Sequence, residues 1–198
     1  MQQHRPRYYT MNEEEIRAAL HRDWIFPQIL LKSGGRAVDE LVLMQGKHRV
    51  DVAVLNDEFH AFEIKSANDN LERLPKQQAC YNKVFDRVTL VVDERHIEHA
   101  VRIVPPQWGL IAVSRVGEKA VLNEIWPARK NYAQCPHALT QLLWREEAIR
   151  ILAERKLARG FRTKRRRTIW KAIAEKLPME EIRDAVRETL KMRTDWRE

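Results

Sequence analysis

The chain has 198 residues, of which 44% are hydrophobic and 32% are charged. This composition provides enough apolar material for a folded core and excludes a fully disordered chain. The uncharged stretch of residues 103–114 contains two prolines and is too short to span a bilayer, so we expect no membrane insertion. Cys80 and Cys135 form no CxxC pair, and the first seven residues hold no apolar signal segment, so we expect a cytoplasmic protein.

The net charge of +8 is concentrated in the last quarter of the chain. Residues 145–198 contain 17 Lys and Arg against 10 Asp and Glu, whereas residues 1–144 contain 19 against 18. A local excess of positive charge indicates a polyanionic partner, and nucleic acid is the first candidate. A solvated helical surface with surplus Lys and Arg explains the same charge equally well.

Helices and strands are predicted to alternate through the first part of the chain. A helix is expected to begin near Thr10, because Thr10-x-x-Glu13 fits a capping box, and Pro27 is expected to break it. Residues 69–84 have the apolar spacing of a helix that is irregular near Pro75. Runs of apolar residues predict six strands, at residues 41–44, 49–55, 59–66, 88–92, 109–113 and 119–126.

From Pro136 onward the apolar residues recur at helical spacing, and Gly160 is expected to end the first helical segment. Residues 169–177 and 179–190 predict two further amphipathic helices. The predicted fold class is therefore α/β, with a mixed central sheet and a basic α-helical C-terminal extension. We divide the chain into a core and an extension, at residues 1–134 and 135–198.

Residues 49–66 predict a β-hairpin with two opposed acidic residues. Residues 56–58 suit a three-residue loop, and this loop sets the register of the two strands. The pairs in that register are Leu55 with Phe59, Ala53 with Ala61, and Asp51 with Glu63. Strict alternation places Lys65 on the face of the two acids, and it places Val50, Val52 and Val54 on the opposite face.

Like charges directly opposite each other destabilise a sheet, so the pair Asp51 and Glu63 requires a compensating charge. A hard divalent cation provides one, because carboxylate oxygens are its preferred ligands. An ordinary polar sheet face, with Lys65 neutralising both acids, is the alternative. The hairpin alone does not decide between the two interpretations.

At these residues the chain resembles the PD-(D/E)XK nuclease superfamily, which has the restriction-endonuclease-like fold. Asp51 matches the acid of the second core strand, and Glu63-Ile64-Lys65 matches the ExK of the third. Gln77-Gln-Ala-Cys-Tyr81 is similar to the QxxxY element of exonuclease-like branches, and it falls in the expected order. The resemblance covers roughly residues 10–115 and implies an αβββαβ core. Val50 stands where the Pro that gives the motif its name is found.

The resemblance implies a metal-dependent phosphodiesterase acting on DNA. Asp51, Glu63 and the carbonyl of Ile64 would hold Mg²⁺, for which Mn²⁺ would substitute, and Lys65 would orient the attacking water. Gln77 and Tyr81 would position the substrate, although core packing explains Tyr81 equally well.

Many members of the superfamily add an acid from the first helix. Glu13, Glu14 and Glu15 are candidates here, and we prefer Glu15 because Glu13 is expected to cap the helix.

Basic residues near the motifs and in the extension are the predicted contacts to nucleic acid. Residues 161–167 contain five cations, which favours binding to phosphates over a solvated linker when the run lies beside a nuclease core. For Arg73 a salt bridge with a neighbouring acid is the simpler alternative. The predicted nucleic-acid-binding residues are Arg49, Arg73, Arg162, Lys164, Arg165, Arg166 and Arg167.

Three functions therefore remain open at the level of sequence. A nuclease acting on DNA is the leading hypothesis, with RNA as the other possible substrate. The second is a nucleic-acid-binding module without catalysis on a nuclease-like fold. The third is an interaction protein whose C-terminal helices contact an acidic partner, and the same helices are candidates for a homodimer interface.

Overall fold

The computed structural model describes residues 10–33, 35–194 and 196, and it contains one six-stranded mixed sheet. The strands lie in chain order across the sheet, from β1 at one edge to β6 at the other. Neighbours β3, β4 and β5 are parallel, while β1, β2 and β6 run antiparallel to the strand beside them. The strands are β1 (Arg36–Leu43), β2 (His48–Leu55), β3 (Phe59–Lys65), β4 (Arg87–Asp93), β5 (Gly109–Val116) and β6 (Lys119–Trp126).

Helices cover both faces of the sheet. Four lie in the part of the chain that also forms the strands: α1 (Glu13–Ala19), α2 (Leu31–Ser33), α3 (Leu74–Tyr81) and α4 (Ile97–Ile103). Four more follow the last strand: α5 (Pro136–Thr140), α6 (Arg145–Glu154), α7 (Arg166–Lys176) and α8 (Met179–Met192). The order from α1 to β4 is helix, three strands, helix, strand, because the three-residue α2 directly continues the first helical segment.

The sheet separates two buried clusters of apolar side chains. On one face, Ile16 and Leu20 pack against residues of β2 to β5, including Val52, Phe62 and Ile64. On the other face, α3 and the four C-terminal helices share one continuous core with the sheet. The alternation of β3 agrees with prediction, since Ala61 lies in the second core while Phe62 and Ile64 lie in the first.

The first helix differs from the prediction at both ends. Its capping box joins Asn12 and Glu15, not Thr10 and Glu13, and the Asn12 side chain accepts a hydrogen bond from the Glu15 N–H at 2.8 Å. Pro27 does not end the segment, because the chain continues as a π-helix through Leu20–Leu30. A π-helix joins each residue to one five positions away, which relaxes the backbone pairing that a proline disrupts in an α-helix.

The predicted helix over residues 69–84 was too long at its start. Helix α3 begins only at Leu74, with Pro75 in its first turn. The preceding segment forms a separate turn, in which the Asp69 carboxylate accepts hydrogen bonds from the Ser66 N–H and hydroxyl at 2.7 and 2.6 Å. Asp is favoured in such turns because its short side chain satisfies nearby backbone donors.

Two further differences between the predicted and the observed helices lie outside the hairpin of residues 49–66. Helix α4, which crosses from β4 to the parallel strand β5, was not predicted from the sequence. The helical segment expected to continue from Pro136 to Gly160 is divided into α5 and α6 near Trp144, whose extended backbone begins α6. The predicted strand over residues 119–126 and the last two helices are confirmed. Among the described residues, no helix has the length and apolar character needed to cross a membrane.

Candidate functional site

The β2–β3 hairpin has the register that the loop predicts. Leu55 pairs with Phe59 and Ala53 pairs with Ala61, as expected. The regular ladder ends at the next pair, one step before Asp51 and Glu63 would meet. At that step the Asp51 Oδ2 instead accepts a hydrogen bond of 2.6 Å from the Ile64 N–H. The Asp51 carboxylate therefore lies beside the Glu63–Ile64 peptide bond.

One prediction for this hairpin was wrong, because Val50 does not share the face of Val52. Val50 belongs to the core formed with the C-terminal helices, whereas Val52 belongs to the opposite core. The strand beside it has a matching irregularity at Glu40, whose φ of 57° lies in the left-handed region. This conformation is costly for a residue with a Cβ, and such strain is concentrated at functional sites. The side-chain alternation of both strands therefore shifts by one residue at the position where Glu40 and Asp51 face each other.

Glu63 is the centre of the site and is only 1% exposed. Its Oε1 accepts hydrogen bonds from Lys65 Nζ, at 2.5 Å, and from the Gln77 side-chain amide. Its Oε2 lies 2.6 Å from the Tyr81 hydroxyl. The i,i+4 spacing of Gln77 and Tyr81 on α3 brings both side chains to the same carboxylate. The QxxxY element and the ExK element thus form one hydrogen-bonded group.

The Tyr81 hydroxyl has two acceptors within reach but only one proton. It lies 2.6 Å from Glu63 Oε2 and 2.8 Å from the carbonyl oxygen of Arg49. Burial, followed by the adjacent Glu63 carboxylate, raises the pKa of the Tyr81 hydroxyl above its usual range. Tyr81 is therefore a neutral donor at physiological pH. The Gln77 Oε1 is buried without a hydrogen-bond partner among the described residues, so it can accept from a water or a substrate hydroxyl.

The Asp51 carboxylate binds its proton unusually tightly. Burial raises its pKa to about 7, and the neighbouring Glu63 carboxylate acts in the same direction. The hydrogen bond from Ile64 and the charge of Lys65 oppose this rise without cancelling it. Such a perturbed carboxylate beside a second carboxylate is typical of functional sites.

Two further carboxylates lie beside Asp51. One oxygen each from Glu13, Glu40 and Asp51 lie within 4.8 Å of one another, a spacing that suits a shared cation. Arg17 forms ion pairs with both Glu13 and Glu40, and Arg49 forms an ion pair with Glu40. These arginines partly neutralise the cluster, but Asp51 itself has no ion-pair partner among the described residues.

Glu15 was predicted to be the acid that the first helix adds to the site, but its carboxylate contacts other groups. The Glu15 carboxylate accepts hydrogen bonds from the Asn12 N–H at 2.9 Å and from Arg115 at 2.7 Å. Glu13, which was set aside as a capping residue, is the acid that faces Asp51. The error follows from the capping box, because moving it by two residues exchanges the roles of Glu13 and Glu15.

The predicted basic residues occupy different positions relative to the site. Arg49 lies beside Asp51 through its ion pair with Glu40, and Arg73 is exposed at the start of α3. The run from Arg162 to Arg167 is exposed throughout and leads into the first turn of α7. Arg145 restrains the backbone of this run, because its guanidinium donates hydrogen bonds to the carbonyl oxygens of Arg162 and Lys164.

Neither Glu40 nor Arg17 was predicted from the sequence as part of the site. No local motif marks Glu40, because its proximity to Asp51 depends on the pairing of β1 with β2. The sequence predicted a strand only over residues 41–44. The observed strand β1 spans Arg36–Leu43 and so includes Glu40. Arg17 follows Glu13 by one helical turn, so a correct capping box would have indicated it.

Together these features define a mixed α/β protein with a buried Glu–Lys pair and an acidic cluster between its first helix and its first two strands. The chain matches the family described as bacteriophage P4 protein cII over residues 7–197, and it therefore belongs to that family. No curated protein shows significant similarity to the chain. A solved structure that is similar to it is the SPO1766 protein of unknown function from Silicibacter pomeroyi, at 23% identity and a TM-score of 0.40. The match covers 68% of this chain and 89% of that one.

Proposed function

We propose that this protein is a metal-dependent phosphodiesterase of the PD-(D/E)XK type that hydrolyses nucleic acid, with DNA as the expected substrate. The observation that carries the proposal is the convergence of Lys65, Gln77 and Tyr81 on the Glu63 carboxylate. Two motifs separated in sequence thus meet at one buried group, directly beside the Asp51 carboxylate.

The donor set of the site suits Mg²⁺ or Mn²⁺, which prefer carboxylate oxygens. Asp51 and Glu63 with the Ile64 carbonyl are the proposed ligands, and Glu13 and Glu40 extend the carboxylate set on the Asp51 side. Neighbouring carboxylates that repel each other have a raised affinity for a cation, which agrees with the raised pKa of Asp51. A bound divalent cation polarises the scissile phosphate and lowers the pKa of a bound water.

The residues around these carboxylates have separate roles. Lys65 holds its ammonium against Glu63, where it can stabilise the negative charge that develops on the phosphate. Tyr81 and Gln77 restrain the Glu63 carboxylate from the α3 side, and Gln77 keeps a free acceptor. Arg17 and Arg49 keep the acidic cluster from repelling an approaching phosphate.

The proposed restriction-endonuclease-like core spans α1 to β4, whose order of elements is that of the expected αβββαβ arrangement. The N-terminal end of α7 supports nucleic acid as the substrate, because its exposed Arg165, Arg166 and Arg167 form no ion pair with a carboxylate among the described residues. Such cations bind phosphates without reading sequence.

A nucleic-acid-binding module without catalysis is the second candidate. It is favoured by the saturation of Glu63, since three donors already occupy its two oxygens. In that case Lys65 serves only to neutralise Glu63, and no cation enters the site.

Cleavage assays separate the two candidates. Single- and double-stranded DNA and RNA are incubated with the protein in Mg²⁺, Mn²⁺ or EDTA. Nuclease function predicts cleavage that requires the metal and is lost in Asp51→Ala, Glu63→Ala and Lys65→Ala proteins that remain folded by circular dichroism. Arg102→Ala, an exposed substitution on α4, is the matched control and should cleave as wild type does. Undiminished cleavage by Glu63→Ala would refute the site assignment, and metal-independent binding without cleavage would favour the second candidate.

A further inference from the structure

A cleft of about 740 Å³ lies between the edge strand β1 and the C-terminal helices. Its walls come from β1, from the turn that joins β1 to β2 and the start of β2, from the segment between α5 and α6, from α7, and from Arg193 and Trp196 after α8. Apart from Glu40 on β1 and Arg49 at the start of β2, the lining residues do not belong to the candidate active site. The cleft is therefore a separate feature whose purpose the carboxylates do not explain.

The cleft opens directly beside the candidate active site. Glu40 and Arg49 line the cleft, and the same Glu40 carboxylate belongs to the cluster with Asp51. Arg49 also offers its carbonyl oxygen to Tyr81. A ligand that fills the cleft is thus a close neighbour of the groups proposed to act on a phosphodiester.

The arginines of α7 lie at its N-terminal end, where positive charge is unfavourable for a helix. Arg166 and Arg167 occupy the first turn and Arg165 the cap position. The N-terminus of a helix carries a partial positive charge, so cations there destabilise the helix in the absence of an anion. None of the three has a carboxylate partner among the described residues. This unneutralised end attracts a phosphate.

Arg166 is directed to the cleft by packing. Its guanidinium lies 5.1 Å from the centre of the Trp170 ring, which is buried beneath it, and both residues line the cleft. Stacking on an aromatic ring restrains a guanidinium and leaves its N–H groups free to contact oxygen. The amides of Gln45 and Gln141 provide further polar groups in the same wall.

The size of the cleft limits what it can accept. Its volume is that of a small-molecule site, which admits one or two nucleotides but not a duplex with both strands. A positively charged groove beside aromatic side chains is the usual arrangement for one strand of nucleic acid. Three arginines line the cleft against two acids, Asp39 and Glu40, so its walls carry a net positive charge that suits a phosphate.

We propose that the cleft binds a single strand of nucleic acid, with Arg166 contacting its phosphates, and that the strand runs from α7 toward Asp51. The inference takes the substrate class from the proposed function. It adds that the substrate enters as one unpaired strand.

Binding measured in EDTA tests this without relying on cleavage. A fluorescent oligothymidylate and a blunt duplex of the same length are titrated by anisotropy at fixed salt. Arg166→Gln removes the cation, and Val42→Glu places a negative charge on an exposed residue of the cleft wall. The matched controls are Lys176→Gln, exposed at the other end of α7, and Val116→Glu, exposed at the end of β5.

The single strand is expected to bind more tightly than the duplex. Arg166→Gln and Val42→Glu should each weaken single-strand binding by about tenfold, against less than about twofold for the controls. Equal losses in variants and controls, or tighter binding of the duplex, would overturn the inference. If Val42→Glu and Arg166→Gln lose binding while the wild type never cleaves with Mg²⁺, the proposed function fails and the cleft assignment stands. If the wild type cleaves with Mg²⁺ and both variants bind the single strand normally, the proposed function stands and the cleft assignment fails.

Discussion

Tyr81 Oη lies 2.6 Å from Glu63 Oε2, although the two residues belong to different motifs and different elements. Glu63 sits near the end of β3 and Tyr81 at the end of α3, and both are buried. A buried carboxylate needs several donors, so this contact and those from Lys65 and Gln77 make the charge at Glu63 tolerable. The same contacts hold the carboxylate in one orientation, which a metal ligand requires.

We expect Tyr81→Phe to lower the stability of the protein and to impair cleavage. The substitution keeps the ring in the core but removes one hydrogen bond to a buried charge, which costs about 1–3 kcal/mol. Thermal unfolding monitored by circular dichroism measures the loss. The double variant Tyr81→Phe with Glu63→Gln should be less destabilised than the sum of the two single variants, because the pair shares one interaction. Strict additivity would show that the hydrogen bond contributes nothing.

Asp51→Asn should stabilise the metal-free protein at high pH. Asp51 has a folded pKa of about 7 and an unfolded value of about 3.8, so the folded state binds its proton more tightly. The stability that this proton contributes is fully present below about pH 4 and is lost as the pH rises through 7. Asparagine keeps the acceptor for the Ile64 N–H without the charge.

The free energy of unfolding of the variant should therefore exceed that of wild type by about 4 kcal/mol at pH 8.5 in EDTA, and the difference should disappear near pH 4. Urea unfolding at several pH values measures it. His60, whose pKa burial lowers to about 3, contributes to both proteins alike and cancels in the comparison. A difference that does not vary with pH would contradict the assigned pKa of Asp51.

Glu13→Gln and Glu15→Gln form a matched pair on the same helix turn. Glu13→Gln removes a carboxylate from the cluster with Asp51, so the Mg²⁺ concentration needed for half-maximal cleavage should rise several-fold. Glu15→Gln keeps the capping box but loses the ion pair with Arg115, so it should cost less than about 1 kcal/mol of stability and leave the metal requirement unchanged. Metal titrations of cleavage and thermal unfolding distinguish the two, and a metal requirement that depended on Glu15 instead would reverse our assignment.

Replacing Arg165, Arg166 and Arg167 together by Ala should flatten the salt dependence of nucleic-acid binding. Each lost phosphate contact reduces the slope of log K against log salt by about 0.9 for duplex DNA and about 0.7 for single strands. Binding at several salt concentrations in EDTA gives the slope, and the metal requirement for cleavage should persist. An unchanged slope would mean that these residues are only a solvated segment of the surface.

The sequence alone determined the register of the β2–β3 hairpin, the shared face of Glu63 and Lys65, and the shared α3 face of Gln77 and Tyr81, whereas the contact of these two with Glu63 came only from tertiary packing. The register and the shared faces depend on local rules, since a short loop sets the register, alternation sets the face, and i,i+4 spacing aligns the two α3 side chains. The strand at residues 119–126 and the last two helices followed from the same kind of local pattern.

Only the tertiary structure decided which acids join Asp51 and where the cleft lies. Glu40 reaches Asp51 through the pairing of β1 with β2 and through a left-handed backbone conformation, neither of which has a local signal in the sequence. Glu13 reaches Asp51 because the packing of Ile16 and Leu20 against the sheet fixes the rotation of α1. The cleft joins residues more than a hundred positions apart, so it exists only once the C-terminal helices have packed against the sheet. Contacts of this kind depend on burying apolar faces against each other, and the energy of that burial is a property of the whole fold.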